Sequence, residues 1–322
     1  MRLALLLSFL VAVPAAADDY PHVYLKTDAL KAKVYLPDAE KGFYRGTRFD
    51  WSGVFGDIGF AGHSLFHKWK DTHDPKNHDD IIGPVEEFGM EKPLNYDDAK
   101  VGETFLKIGI GELEKPKEEK YRFYHNYKIV KPGVWTAKQV NPAKVEFHQK
   151  LTGPNGYAYE YTKTVTIDPK RPEIIIGHTL TNTGTKPIAT DHYNHNFFNV
   201  DGKPVGPDYE FDFAFPLKAD GKERFPDVVK LDGKAWRFTK PLDTGSVFAQ
   251  LKELPKEHPG QPYVVMRHKP SKVSVSINGS RAPVRFNVWG MKTTICPEPF
   301  LDLNAKPGET VRWMWSYEFA TD

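Results

Sequence analysis

Tyr157-Ala158-Tyr159-Glu160-Tyr161-Thr162-Lys163-Thr164-Val165-Thr166-Ile167 is rich in aromatic and β-branched residues and alternates along its length. A period of two built from such side chains is the pattern of a strand with one face on a core. The turn sequence Asp168-Pro169-Lys170-Arg171-Pro172 follows, and Glu173-Ile174-Ile175-Ile176-Gly177-His178-Thr179-Leu180 reads as the returning strand. Outward from this pair, the same pattern recurs at 31–36, 121–124, 144–148, 264–266, 272–277 and 311–319. Gly153-Pro154-Asn155-Gly156, Asn182-Thr183-Gly184, Asp201-Gly202, Asp232-Gly233 and Asn278-Gly279 supply turns between such runs. Helical periodicity is scarce, and only 62–70 and 97–105 read as short helices. The stretch 112–120, rich in Pro and Lys, reads as an exposed loop. The expected fold class is therefore mainly β. One large antiparallel β-sandwich is expected over 18–322, with two smaller β domains as the lesser possibility.

The chain of 322 residues opens on Met1-Arg2, the apolar run Leu3–Val13 and Ala15-Ala16-Ala17 before Asp18. This is the form of a signal peptide, residues 1–17, so a periplasmic or secreted protein is expected. The run is too short to span a bilayer and no later segment replaces it, so no membrane span is expected. Lys and Arg total 44 against 42 Asp and Glu, a near balance that argues against a nucleic-acid partner. With Cys296 as its single cysteine, the chain has no internal disulfide and depends on its core.

Two segments carry the residue types of chemistry. Asp191-His192-Tyr193-Asn194-His195-Asn196-Phe197-Phe198-Asn199-Val200 crowds polar groups where a strand is expected. Each would need a partner if buried. Such a set either satisfies itself at a sheet end or forms a site. Thr293–Leu303 places Glu298 between Pro297 and Pro299 in an apolar stretch. The prolines cannot donate to a ladder, so the strand is expected to bulge or end there. A carboxylate in apolar surroundings tends to a raised pKa, which suits proton transfer.

Asn194-His195-Asn196-Phe197-Phe198-Asn199 resembles the aldose 1-epimerase (galactose mutarotase) motif N-H-x-Y/F-F-N, and Ile295-Cys296-Pro297-Glu298-Pro299 resembles that family's late glutamate motif. The run Ile175–Pro187 is similar to its strand, T-N-T-G, strand approach to the histidine. Leu303–Thr310 is similar to its closing L-x-P-G-E segment. The matches cover the C-terminal half, and the N-terminal half matches only loosely. The resemblance implies a galactose mutarotase-like β-supersandwich with a cleft and no cofactor. It implies His195 as general acid to the ring O5 and Glu298 as general base to O1, on opposite sides of the sugar ring. The substrate would be a mono- or oligosaccharide. The family also has an early Asn-Arg pair, a second His and an intervening Asp. Arg45, Arg48 and Trp51, within Phe43–Trp51, are the candidates for early substrate-binding residues, with Arg48 and Asp50 sharing a face if that run is a strand. His63 and Asn194 are further substrate-binding candidates. Asp208, Asp212 and Asp220 offer no unique choice for the Asp.

His63, His67, His73-Asp74, His78-Asp79-Asp80 and Glu86-Glu87 form a His/acid-rich run. Its Asp/Pro/Asn-rich context reads as a solvated loop, so no metal site is expected. A polysaccharide lyase or hydrolase on the same fold, or a non-catalytic carbohydrate-binding protein, are the alternative functions.

Overall fold

The computed structural model describes residues 20–221, 224 and 227–321; the expected leader, 1–17, lies outside them. β1 (His22–Lys26), β2 (Leu30–Tyr35), β3 (Phe55–Phe60) and β4 (His63–Leu65) form a four-stranded antiparallel sheet. β5 (Val85–Phe88) is followed by β6 (Thr104–Lys107), β7 (Gly111–Glu114) and β8 (Ile129–Pro132), a three-stranded sheet. Then come β9 (Trp135–Asn141), β10 (Lys144–Thr152), β11 (Ala158–Ile167), β12 (Glu173–Asn182) and β13 (Ile188–His195). The order continues with β14 (Tyr209–Phe213), β15 (Val229–Asp232), β16 (Ala235–Phe238), β17 (Ser246–Leu251) and β18 (Val264–His268). β19 (Val273–Gly279), β20 (Arg285–Met291), β21 (Thr294–Ala305) and β22 (Thr310–Thr321) close the chain.

Two sheets make the sandwich. A ten-stranded sheet runs β15-β16-β14-β18-β19-β22-β12-β11-β10-β9, and a five-stranded sheet runs β17-β20-β21-β13-β5. The alternating run at 158–167 is β11, whose Tyr161 lies opposite Leu180 of β12, which in turn pairs with β22 through Ile176 and Trp315. One apolar core joins Tyr159, Ile176 and Trp315 of the larger sheet to Val247, Val288 and Leu303 of the smaller, each buried to within about one percent. Burial of each such side chain contributes roughly 1.5–3 kcal/mol. The mainly β, antiparallel expectation holds.

Several local expectations fail, among them the exposed loop at 112–120, which holds most of β7 with Leu113 fully buried. Residues 62–70 hold β4, and 97–105 turn and enter β6. Pro154–Gly156, a single 3-10 turn, is the one helical element among the described residues. Short apolar runs do not distinguish helix from strand, and here pairing partners decided. Tyr121–Tyr124 is not a strand: Tyr121 stacks on Tyr127 with ring centroids 5.2 Å apart, inside a second apolar cluster. Phe43–Trp51 is also irregular, so the shared face expected for Arg48 and Asp50 does not exist. Among the described residues no helix is long and apolar enough to cross a membrane.

Candidate active site

β13 and β21 pair from Ile188 opposite Ala305 to Tyr193 opposite Phe300, then part. They rejoin at a single bridge between Phe198 and Ile295. Asn194–Phe197 and Cys296–Pro299 therefore line an interruption in the sheet. Contrary to expectation, the prolines neither bulge nor end β21: it runs on against β20, with Glu298 opposite Asn287, and loses its other neighbour instead. Within the interruption the Pro297 carbonyl accepts from the Asn196 side-chain amide.

Parity along β13 sorts the polar cluster. Asn194 donates to the Tyr317 hydroxyl and Asn196 accepts from it at 2.8 Å, both inside the sandwich. His195 faces the outer side, stacked on Phe197 at 3.9 Å between ring centroids. Its Nε2 lies 3.2 Å from Glu298 Oε1, and each residue is 4% exposed. Phe197 has φ +43°, a conformation in which a β-carbon is strained, and the turn is braced by Gly83. A β-carbon on Gly83 would lie 2.1 Å from the Asn196 carbonyl oxygen and 3.0 Å from the Phe197 β-carbon. Gly83→Ala is expected to cost about 1–3 kcal/mol by overpacking, measured by denaturant unfolding, and to lower whatever activity His195 supports.

His195 and Glu298 open onto a cleft of about 500 Å³ on the outer face of the five-stranded sheet. Arg285, Asn287 and Trp289 of β20 and Phe248 and Gln250 of β17 line it, with Arg48, Trp69, His78 and Phe123 from the loops above. Cross-strand registry makes the floor: Trp289 lies opposite Cys296 and Arg285 opposite Phe300, whose ring the guanidinium covers at 3.7 Å.

Beneath Arg48 is a buried charge network. Glu87 accepts from Arg48 Nε at 2.9 Å, from Lys107 Nζ at 2.9 Å and from the Tyr193 hydroxyl at 2.7 Å. Arg48 Nη2 also donates to the Tyr193 hydroxyl at 2.8 Å. Both cations of this network are placed on Glu87. Burial pushes Glu298 up to about 8, against the opposing pull of Arg48 and an Asn287 hydrogen bond. Burial, and then Arg48, holds His195 well below the ordinary histidine range. Both shifts favour the neutral forms of the pair, a carboxyl and an imidazole.

The other candidates separate. Arg48 lines the cleft beside His195 and Glu298. Arg45 and Trp51 line a different hollow with Thr47 and Tyr127, and the Trp51 indole donates to the Gly46 carbonyl at 2.8 Å. His63 sits on β4, its Nδ1 2.7 Å from Asp201, away from the cleft. Asn194 is turned into the sandwich because it is one residue from His195 on the same strand. Asp208, Asp212 and Asp220 do not line the cleft, and Asp212 is held by Arg237 and Arg267. In the His/acid-rich run, Lys70 bridges Asp79 and Asp80, His73 stacks on Phe43 and His78 reaches the cleft. Sequence reading named Glu87 in the His/acid-rich run and Tyr193 in the polar segment without placing either at the site, and it missed Asn287 and Trp289. The alternation Arg285-Phe286-Asn287-Val288-Trp289, which puts three polar or aromatic groups on one face, was the available signal.

No family model and no curated protein sequence matches the chain. Solved structures do. A Synechocystis protein is 12% identical with a TM-score of 0.61, over 97% of this chain and 100% of that one. A galactose mutarotase-like protein from Clostridium acetobutylicum is 14% identical with a TM-score of 0.57, over 94% and 95%. An aldose epimerase homologue from C. elegans is 12% identical with a TM-score of 0.53, over 93% and 98%. Likeness of backbone over nearly the whole of each chain, with so few shared side chains, identifies an architecture: this protein has the galactose mutarotase-like fold.

Proposed function

We propose that the protein is an exported sugar-active isomerase that interconverts the anomers of an aldose, with His195 and Glu298 as its proton-transfer pair. The observation that carries this reading is their 3.2 Å contact at the wall of an aromatic-lined cleft. Mutarotation requires a proton to leave O1 while another reaches the ring O5. Both oxygens are bonded to C1, so an acid and a base side by side suit them; the placement on opposite sides of the ring that the resemblance implies does not hold, because a 3.2 Å contact leaves no room for a ring between the two side chains. We assign the roles the other way round from those the resemblance implies, because burial favours a protonated Glu298 and an unprotonated His195. Glu298 gives its proton to O5 as the C1–O5 bond breaks, and His195 takes the proton of O1 as the aldehyde forms. Rotation about C1–C2 and reclosure return both protons and yield the other anomer. Arg48, fixed by Glu87, and the rings of Trp289, Trp69 and Phe123 hold the sugar. Residues 1–17 act as the export signal, with a mature chain beginning at Asp18.

Polarimetry or NMR of freshly dissolved aldoses tests the reading. Faster anomer equilibration than in buffer supports it. Equilibration unchanged for a panel of aldoses overturns it, and ultraviolet-absorbing or newly reducing products from polysaccharides would point to lyase or hydrolase chemistry. The pH profile follows from the neutral forms of the pair. Activity is expected to fall tenfold per pH unit above about pH 8, as Glu298 ionises and the acid is lost. It also falls in acid, where His195 takes a second proton and the base is lost. A kcat/KM profile flat across pH 8 to 10 would contradict this assignment.

A further inference from the structure

Behind β13, on the side away from the cleft, lies a second ionisable group that the proposed chemistry does not use. Glu86 of β5, His178 of β12 and His192 of β13 each offer one donor atom, all within 4.8 Å of one another. They are 1%, 3% and 0% exposed. Glu86 Oε1 is 3.0 Å from His178 Nε2. The other carboxylate oxygen, Oε2, is engaged by Lys163, whose ammonium also donates to the Ser52 carbonyl at 2.6 Å.

Proton bookkeeping shows what is missing there. The Tyr161 hydroxyl donates to Asp50 Oδ2 at 3.0 Å, which uses its one hydrogen. His178 Nδ1, 3.0 Å from the same hydroxyl, must then be the donor in that contact. His178 Nε2 and Glu86 Oε1 face each other at 3.0 Å, a contact that needs either a proton or a metal cation between the two atoms. A proton on Nε2 would relieve that contact alone. It would leave His192, fully buried, with no hydrogen-bond partner for either ring nitrogen among the described residues. An orphaned buried donor or acceptor is costly, and such groups in native proteins call for an explanation.

We propose that Glu86, His178 and His192 bind one dication of the zinc class, which ties the two sheets together directly behind the cleft. Two imidazoles and a carboxylate are the donors that Zn2+ and Co2+ take, whereas Mg2+ and Ca2+ prefer oxygen throughout. The outer partners of such a site are already present: Lys163 on the free carboxylate oxygen, and Tyr161 with Asp50 on the free nitrogen of His178. In a tetrahedral site the donor atoms stand about 3.3 Å apart, and the Glu86–His178 pair is already at 3.0 Å. The ligands come from β5 and β13 of the five-stranded sheet and β12 of the ten-stranded sheet. The metal would thus do in this single-cysteine chain what a disulfide does elsewhere.

Metal analysis of the purified protein, followed by chelator stripping and titration with Zn2+ or Co2+, tests the proposal. One equivalent is expected, with a rise in Tm on binding and visible Co2+ absorption lacking a thiolate charge-transfer band. His192→Ala and Glu86→Gln are expected to lose both the equivalent and the Tm increment. His192→Ala also empties a ring packed on Phe88 and Trp313, so His192→Phe, which keeps that packing without a donor nitrogen, is measured beside it and is expected to lose the metal equivalent as well. The proposal is overturned if the wild-type protein takes up no stoichiometric metal, or if His192→Ala still binds it. It is equally overturned by a thiolate band that Cys296→Ser abolishes, because His195, Cys296 and Glu298 also converge within 4.8 Å and the ion would then sit in the cleft.

Discussion

Glu298→Gln is expected to lower kcat/KM for anomer interconversion by about 10²–10⁴-fold while leaving the protein folded. Gln keeps the shape of the side chain and its contact with Asn287, but it can neither give a proton to O5 nor recover one. The resting carboxyl is neutral at pH 7 because burial raises it, so the substitution removes no buried charge and little stability. His195→Asn should cost a similar factor. Because the two residues pass protons in one step, the double variant should be about as slow as the slower single variant. Progress curves by polarimetry and thermal melts of the three variants measure both halves of this expectation. A Glu298→Gln enzyme within threefold of wild type would remove Glu298 from the mechanism.

Glu87→Gln should instead act on stability. Glu87 is fully buried and is the common anion for Arg48 and Lys107, at 2.9 Å from each. Neutralising it leaves two buried cations beside one amide, and breaking a buried pair in this way costs about 3–5 kcal/mol. For a chain of this size the Tm should fall by about 5–8 °C. The double variant Glu87→Gln/Lys107→Met should recover part of the loss, since one stranded charge is then gone. Calorimetry decides the matter. A loss below about 1 kcal/mol would mean that solvent reaches the network and that Arg48 is not rigidly held over the cleft.

Strand identity was legible because period-two alternation is a local property: β10, β11, β12, β18, β19 and β22 all fall where alternation places them. His195 and Glu298 were legible through the segments around them, and the structure brings them together. Arg45, Trp51, His63 and Asn194 were placed at the site by residue type and nearness along the chain, and they lie elsewhere. For Asn194 the correction was within reach, since successive residues of a strand face opposite ways. Lys163 is a comparable clue: it stands on the same face of β11 as Tyr161 and Val165, and so had to find buried anions. Glu87 had no such marker, because its partners Arg48, Lys107 and Tyr193 are distant in the chain and belong to separate elements.

Backbone alternation, turn chemistry and the two polar segments are written into neighbouring residues, and they were sufficient to specify a mainly β protein with an imidazole and a carboxylate at its disposal. Where β13 leaves β21, which loops roof the opening, and how far burial shifts each proton were settled only on folding. Those properties depend on contacts between residues a hundred positions apart, and desolvation has no value until the chain has closed around the group.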